Sequence, residues 1–316
     1  MGRASTVRSL PDRRQKIAAQ RAATQRRQTR NRLLVACGAV AVVVFTAIAL
    51  VVAKANTTLT SPSVPAAAAA PVGPTGQALA ALVANTTSVP SATLAKVGAG
   101  AGAVKPVPIT GPRLTLGPKP EVLYMGAEYC PYCAAERWAL IVALSRFGTF
   151  SGLATTHSAS RNGAGTAEPY AYTRSWTFAH VQYESKYLAF VGVELSNNVP
   201  DKATGNYGPL QNPTRFEQSV MNKYDAPPYV AAADSGTIPF TDFGNRYMIV
   251  GASYNPSILS GLSWTQIASD LRNPSSPVAM AVLGTANYMT AALCQMTNDH
   301  PVSACTQLVR QLQRKI

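Results

Sequence analysis

The longest apolar stretch in this chain runs from Leu33 to Ala53, 21 residues without a charge. At about 1.5 Å per residue it covers the roughly 30 Å hydrocarbon core of a bilayer, which predicts one transmembrane helix. A weaker helical spacing follows from Gln77 to Val97, carried by Leu79, Leu82, Val83, Val89, Leu94 and Val97 and interrupted by Pro90. Val104 to Ile109 is extended. Glu121 to Met125 is a run of β-formers that leads into Gly126-Ala127-Glu128-Tyr129-Cys130, which predicts a strand running into a helix. Pro131 suits a first helical position, and Trp138, Leu140, Ile141, Leu144 and Phe147 recur at helical spacing through Ala134 to Phe147. Leu153 to His157 is a short strand candidate, while Trp176 to Tyr183 and Tyr187 to Leu195 read as two strands of a hairpin or of a long inserted sheet element. Asn212-Pro213-Thr214 marks the start of a helix within Leu210 to Tyr224, and Thr237 to Val250 carries a hairpin signal. Helical segments over about Ser263 to Leu271, Pro277 to Thr297 and Val302 to Leu312 complete the chain. Strand, helix, strand, helix, hairpin, helix is an α/β order.

Composition then divides the chain. Residues 1–32 form a basic segment with ten Lys/Arg against one acid, 33–53 the spanning helix, and 54–76 an Ala/Pro/Thr tether. Residues 77–118 form an N-terminal elaboration, and 119–316 the main domain. Of the net charge of +14, the first 32 residues carry +9 and the rest +5. Basic residues before a span stay in the cytoplasm, so the predicted topology is N-terminus inside and body outside, in a cell membrane. The same uneven distribution argues against nucleic acid as a partner, because no basic patch interleaved with aromatics and no zinc-finger spacing accompanies it. Ala53-Lys54-Ala55 has the form of a signal-peptidase site, and the length of the apolar run favours retention over release.

Export changes the meaning of the five cysteines. Cys37 lies in the predicted span, while Cys130/Cys133 and Cys294/Cys305 lie in the exported body, where disulfides persist. Cys130 at the start of a helix and Cys133 one turn on share a face, so their sulfurs can bond. The free amides and partial positive charge at that helix end favour a Cys130 thiolate. Cys130 is then the nucleophile, and Cys133 resolves the mixed disulfide it forms. The competing readings are an inert structural disulfide and a zinc half-site. The latter needs about four ligands, whereas His157, His180 and His300 are scattered singly. No metal or cofactor is called for. Cys294 and Cys305 flank Thr297-Asn298-Asp299-His300-Pro301 and read as a structural staple between two helices, with a second, relaying redox pair as the alternative. Trp138, Trp176 and Trp264 read as core or rim aromatics, and Asn56-Thr57-Thr58 and Asn85-Thr86-Thr87 match the short glycosylation pattern.

The segment Ala127-Glu128-Tyr129-Cys130-Pro131-Tyr132-Cys133 resembles the active-site segment of thioredoxin-like proteins, with the Pro-Tyr dipeptide of glutaredoxins. That resemblance implies a thioredoxin-like fold with an inserted β segment and a helical C-terminal extension. It also implies that Thr237-Ile238-Pro239 is the loop whose cis-proline packs against the two cysteines and whose Ile238 backbone pairs with substrate, so Ile238, Pro239 and Tyr132 are the expected substrate-binding residues. An ordinary strand-start proline is the alternative for Pro239. In one respect the chain departs from thioredoxins: the buried aspartate six residues before the first cysteine is here Tyr124. Glu136 is a candidate replacement as proton acceptor, a solvated helix residue the alternative. The stretch from about Ser158 to Leu195, longer than a thioredoxin core requires, is a candidate substrate-facing wall.

More narrowly, Tyr124-Met125-Gly126-Ala127-Glu128-Tyr129-Cys130-Pro131-Tyr132-Cys133-Ala134-Ala135-Glu136-Arg137-Trp138 and Ser145-Arg146-Phe147-Gly148 resemble an uncharacterised family of prokaryotic membrane-anchored proteins catalogued as a domain of unknown function. The likeness covers roughly residues 77–316. The expected function is a membrane-tethered thiol-disulfide oxidoreductase acting on the thiols or disulfides of exported proteins, with a membrane redox partner possible. A redox-inactive adaptor or holdase, and a reductant for one dedicated partner, are the alternatives.

Overall fold

The computed structural model describes residues 70–316, so the expected basic segment, spanning helix and most of the tether lie outside the described residues. Helices α1 (Gly76–Thr87) and α2 (Ser91–Val97) divide at Pro90, as their broken spacing predicts. Strands β1 (Val107–Pro108) and β2 (Thr115–Leu116) are short, and β3 (Lys119–Gly126) feeds α3 (Pro131–Leu144). Then come β4 (Gly148–Ser151), β5 (Ala154–His157), β6 (Arg174–Thr177), β7 (Gln182–Ser185) and β8 (Ala189–Glu194). Strands β9 (Ser196–Pro200) and β10 (Tyr207–Pro209) precede α4 (Arg215–Tyr224), and β11 (Phe240–Phe243) and β12 (Tyr247–Val250) form the expected hairpin. Helices α5 (Trp264–Asp270), α6 (Pro277–Met296) and α7 (Gln307–Gln313) end the chain.

The result is a mixed α/β fold around a mixed central sheet. Strand β3 is its axis, running parallel to β8 (Glu121 opposite Ala189 through Gly126 opposite Glu194) and antiparallel to β11 (Phe240 opposite Met125). Val122 and Tyr124 face a large core with Trp138, Trp176 and the α3 and α6 side chains, while Leu123 and Met125 face a smaller one with Val193, Phe240 and the α4 residues Val220, Met221 and Tyr224. A strand covered on both faces reads as an unbroken apolar run rather than an alternation, and Val122 to Met125 shows that pattern.

Several sequence expectations are corrected. Trp176 to Tyr183 and Tyr187 to Leu195 do not form one hairpin: β6 pairs with β5, β7 pairs with β4, and β8 joins the central sheet beside β3. Nearest-neighbour pairing is the natural guess from sequence, whereas a parallel partner is reached only after a long crossover. The helix expected from Leu210 begins at Arg215, because Thr214 accepts the Glu217 N–H (3.2 Å) while the Glu217 carboxylate accepts the Thr214 N–H (2.6 Å). The helix expected from Val302 likewise begins at Gln307, capped by Thr306. The C-terminal helices are part of the main core rather than an appendage, since α6 supplies Val282, Leu283, Ala286 and Met289 to the cluster that holds Trp138.

By length and composition α6 is the one helix among the described residues that could cross a membrane alone, but nearly all of it is buried inside the protein. Its middle is also where the N-terminal segment docks. A Cβ on Gly284 would lie 2.6 Å from the Cα of Gly100, so both backbones approach only because neither carries a side chain. Asn287 Nδ2 donates to the carbonyls of Leu94 (2.9 Å) and Gly98 (2.7 Å), fastening α2 and its loop to the same helix.

Candidate dithiol site

Cys130 is the N-cap of α3, with Pro131 at the first helical position. Its sulfur accepts the Cys133 N–H at 3.3 Å, an orphan amide of the first turn, and lies 3.8 Å from the Ile238 carbonyl. The Ile238–Pro239 bond is cis, and Pro239 is buried. Sequence-expected residues from a strand-helix junction and from a hairpin more than a hundred positions away therefore meet at one sulfur. Tyr132 lies between the two cysteines and is 41% exposed. Both thiols are free, Cys130 nearly and Cys133 wholly buried.

The two sulfurs are electrostatically unequal. Hydrogen bonding from the Cys133 side chain, then from the Cys133 and Tyr132 amides with the nearby Arg137 charge, holds the Cys130 thiol below its ordinary value against the opposing effect of burial. Burial pushes the Cys133 thiol well up, its hydrogen bond to Cys130 adds to this, and Arg137 and the Ala127 N–H oppose it. The asymmetry suits Cys130 as attacker and Cys133 as the thiol held in reserve.

Beneath the cysteines lies a pair that sequence reasoning missed. Arg137, one turn past Cys133, makes a two-pronged contact with Glu194 at the end of β8, Nε to Oε1 at 2.8 Å and Nη2 to Oε2 at 2.6 Å, with both side chains fully buried. The same Nη2 donates to the Ala127 carbonyl (2.7 Å), and Glu194 Oε1 also accepts the Phe178 N–H (3.1 Å). Arg137 thus anchors the loop between β3 and Cys130 while placing a positive charge near both sulfurs. Its one sequence signal is Glu136-Arg137, two charges inside a helix that is otherwise almost wholly apolar.

Tyr124, six residues before Cys130, is buried beside this pair, its ring 5.9 Å from the Arg137 guanidinium and its hydroxyl without a hydrogen-bond partner. Gly126 makes room for it, since a Cβ there would collide with the tyrosine hydroxyl. Glu136 is not solvated. Its carboxylate accepts the Ser253 N–H (2.7 Å) and hydroxyl (2.8 Å), and burial pushes it up to about 7. Through these two bonds Glu136 fastens α3 to the segment after β12.

The stretch expected to wall the site does border it. Ala159 N donates to the Tyr129 carbonyl at 2.9 Å. The Tyr132 ring meets Tyr170 edge-on at 6.1 Å, and Tyr129 stacks on Tyr207 at 4.1 Å. Trp138, Trp176 and Trp264 are core residues, and Trp138 and Trp264 donate ring N–H groups to the carbonyls of Arg174 (2.9 Å) and Ser175 (2.7 Å). Cys294 and Cys305 form a disulfide between α6 and the turn before α7. Together with Asp299 their sulfurs are the one group of described Cys, His and acidic side chains near enough to hold a metal ion, and the disulfide occupies both sulfurs.

A fold in which a strand delivers a buried dithiol to a helix N-terminus matches a family model described as a domain of unknown function (DUF929) over residues 105–295, more than half of the chain. The chain belongs to that family. Comparisons with curated proteins and with solved structures each found no match.

Proposed function

We propose that this protein is a thiol-disulfide oxidoreductase of thioredoxin-like fold, held to the cell membrane by Leu33 to Ala53 with its body outside, and acting on the thiols or disulfides of exported proteins. The observation that carries the reading is the Cys130 sulfur itself: capping a helix, 3.3 Å from the Cys133 N–H, and 3.8 Å from the carbonyl that precedes a cis-proline. The parallel β3–β8 pair beside the antiparallel β11–β12 hairpin supports the thioredoxin-like core. The basic residues before Leu33 support the topology.

In the reducing direction the Cys130 thiolate attacks one sulfur of a client disulfide, forming a mixed disulfide and releasing the other client sulfur as a thiolate that takes up a proton. Cys133 then loses its proton and attacks the Cys130 sulfur, closing the Cys130–Cys133 disulfide and releasing the second client thiol. The reverse sequence oxidises a client dithiol. Pro131 and Tyr132 set how strongly the thiolate is favoured, hence which direction prevails.

A Cys133→Ala variant tests this, since its mixed disulfides cannot be resolved. The expected result is client proteins trapped on Cys130 and none on Cys130→Ser/Cys133→Ala. No trapped client together with a reduction potential below about −300 mV, the range of structural disulfides, would leave the adaptor reading in its place.

A further inference from the structure

Five tyrosines, Tyr129, Tyr132, Tyr170, Tyr172 and Tyr207, lie beside the dithiol or on the segments that border it, and two of them sit on backbone that resists holding them. Tyr170 and Tyr172 have φ of 50° and 56°, the left-handed region that bulky residues avoid. Hydrogen bonds fix this conformation. Ser158 Oγ (3.1 Å) and Thr173 Oγ1 (2.6 Å) both donate to the Tyr170 carbonyl, Thr173 N donates to Ser158 Oγ (2.9 Å), and Arg174 Nη1 donates to the Tyr172 carbonyl (2.6 Å). A plain connector would carry glycine at such positions. Strained conformations that the surroundings enforce this fully concentrate at functional sites.

The strained loop delivers the Tyr170 ring edge-on to Tyr132, at 6.1 Å and 88° between planes. On the other flank Tyr129, the residue before Cys130, stacks almost flat (10°) on Tyr207, whose hydroxyl donates to Glu168 at 2.6 Å. Two charged side chains of this wall are already engaged, Glu168 with Tyr207 and Arg174 with the Tyr172 carbonyl and the Trp264 ring at 5.9 Å. The tyrosine ring faces are the broad surface beside Cys130 on which recognition can rest. Tyrosine suits that task because it offers a wide, flat, amphipathic surface with few rotamers to freeze.

We propose that Tyr132 and Tyr170, backed by the Tyr129–Tyr207 stack, form a preorganised tyrosine wall that selects polypeptide segments carrying an aromatic or large apolar side chain next to the reacting cysteine. The inference rests on the reading of Cys130 as nucleophile. The occupant is an extended client segment rather than a small thiol, because the wall adjoins the reactive sulfur on the side of Tyr129 and Tyr132, where only residues neighbouring the client cysteine can reach.

The test uses the pre-reduced full chain and single-turnover reduction of peptide disulfides, so that the protein's own dithiol supplies both electrons and becomes the Cys130–Cys133 disulfide. The peptides differ only in the residue beside cysteine (Tyr, Leu, Gly, Asp or Lys), and hydroxyethyl disulfide serves as a small, non-peptide reference. The expected result is a second-order rate constant about tenfold higher for Tyr and Leu than for Gly or Asp, the discrimination one apolar contact provides. Tyr132→Ala and Tyr170→Ala should bring the Tyr-to-Gly ratio towards one, and Tyr132→Phe and Tyr170→Phe should keep it. Tyr170→Gly, which relieves the positive φ, is the ring-less variant to use if Tyr170→Ala does not fold. A flat panel from a chain that reduces the small disulfide, or a preference that survives loss of the rings, overturns the wall and spares the oxidoreductase. Failure to reduce any disulfide overturns the oxidoreductase and the wall together.

Discussion

Glu136 and Arg137 are neighbours on one buried helix, and burial acts on them differently. Arg137 has Glu194 as counter-charge, whereas Glu136 has only neutral donors, so its carboxyl is pushed up to about 7. A folded-state value above the unfolded one means that the native protein holds the proton longer. The stability this confers is complete below about pH 4.5 and is lost as pH rises through about 7. Asp242, likewise buried and pushed up to about 7 by burial, adds in the same direction. Unfolding free energy should therefore fall from pH 5 to pH 8, with up to about 3 kcal/mol of the loss due to Glu136. Glu136→Gln, whose amide can still meet both Ser253 groups, should flatten the profile, and urea titrations that give parallel pH profiles for variant and parent would refute this assignment. For the paired residue, Arg137→Met strands a buried carboxylate and should cost about 3–5 kcal/mol, whereas Arg137→Met/Glu194→Met should recover much of it. A single variant within about 1 kcal/mol of the parent would show that the pair is not held as described. Arg137 and Glu194 are 57 residues apart, on elements whose adjacency depends on a crossover, so chemistry alone could mark each as odd but not join them.

At the scale of elements, local chemistry was legible and long-range pairing was not. The β3–α3 junction, the break at Pro90 and the β11–β12 hairpin announce themselves within a few residues, through periodicity, proline and turn composition, whereas the cis bond before Pro239 was expected only through the resemblance to thioredoxin-like proteins. The role of β8 did not, because an apolar run such as Ala189 to Val193 suits an inserted hairpin as well as a central strand; only its register against β3 decides. The stretch from Ser158 to Leu195 stood out by its length beyond a thioredoxin core, and its left-handed tyrosines did not, since no sequence rule places Tyr there. The Cys294–Cys305 link joins α6 to the turn before α7, away from the dithiol in chain order and in neighbours. Replacing both by Ser should lower stability by roughly 2–3 kcal/mol and leave disulfide-exchange rates at Cys130 unchanged. Chemical denaturation and the small-disulfide assay together check this, and a variant of normal stability but slowed exchange would instead favour the relay reading.

For the whole molecule, topology has the sharpest consequence, because a dithiol facing an oxidising compartment meets folding clients and one facing the cytoplasm meets a reducing pool. Alkaline phosphatase fused after Ile316 should be active in intact cells, and should lose activity when the Arg and Lys residues before Leu33 are replaced by Glu; an inactive fusion to the parent chain would place the body inside. Fold and topology also share a mechanical aspect. Gly284 lets the glycine loop lie directly on α6, and Asn287 ties α2 to the same helix. A pull applied at Gly76 therefore meets the Gly100–Gly284 approach and the Asn287 bonds before it reaches β3, so the geometry at Cys130 is shielded from strain entering at that end of the described residues.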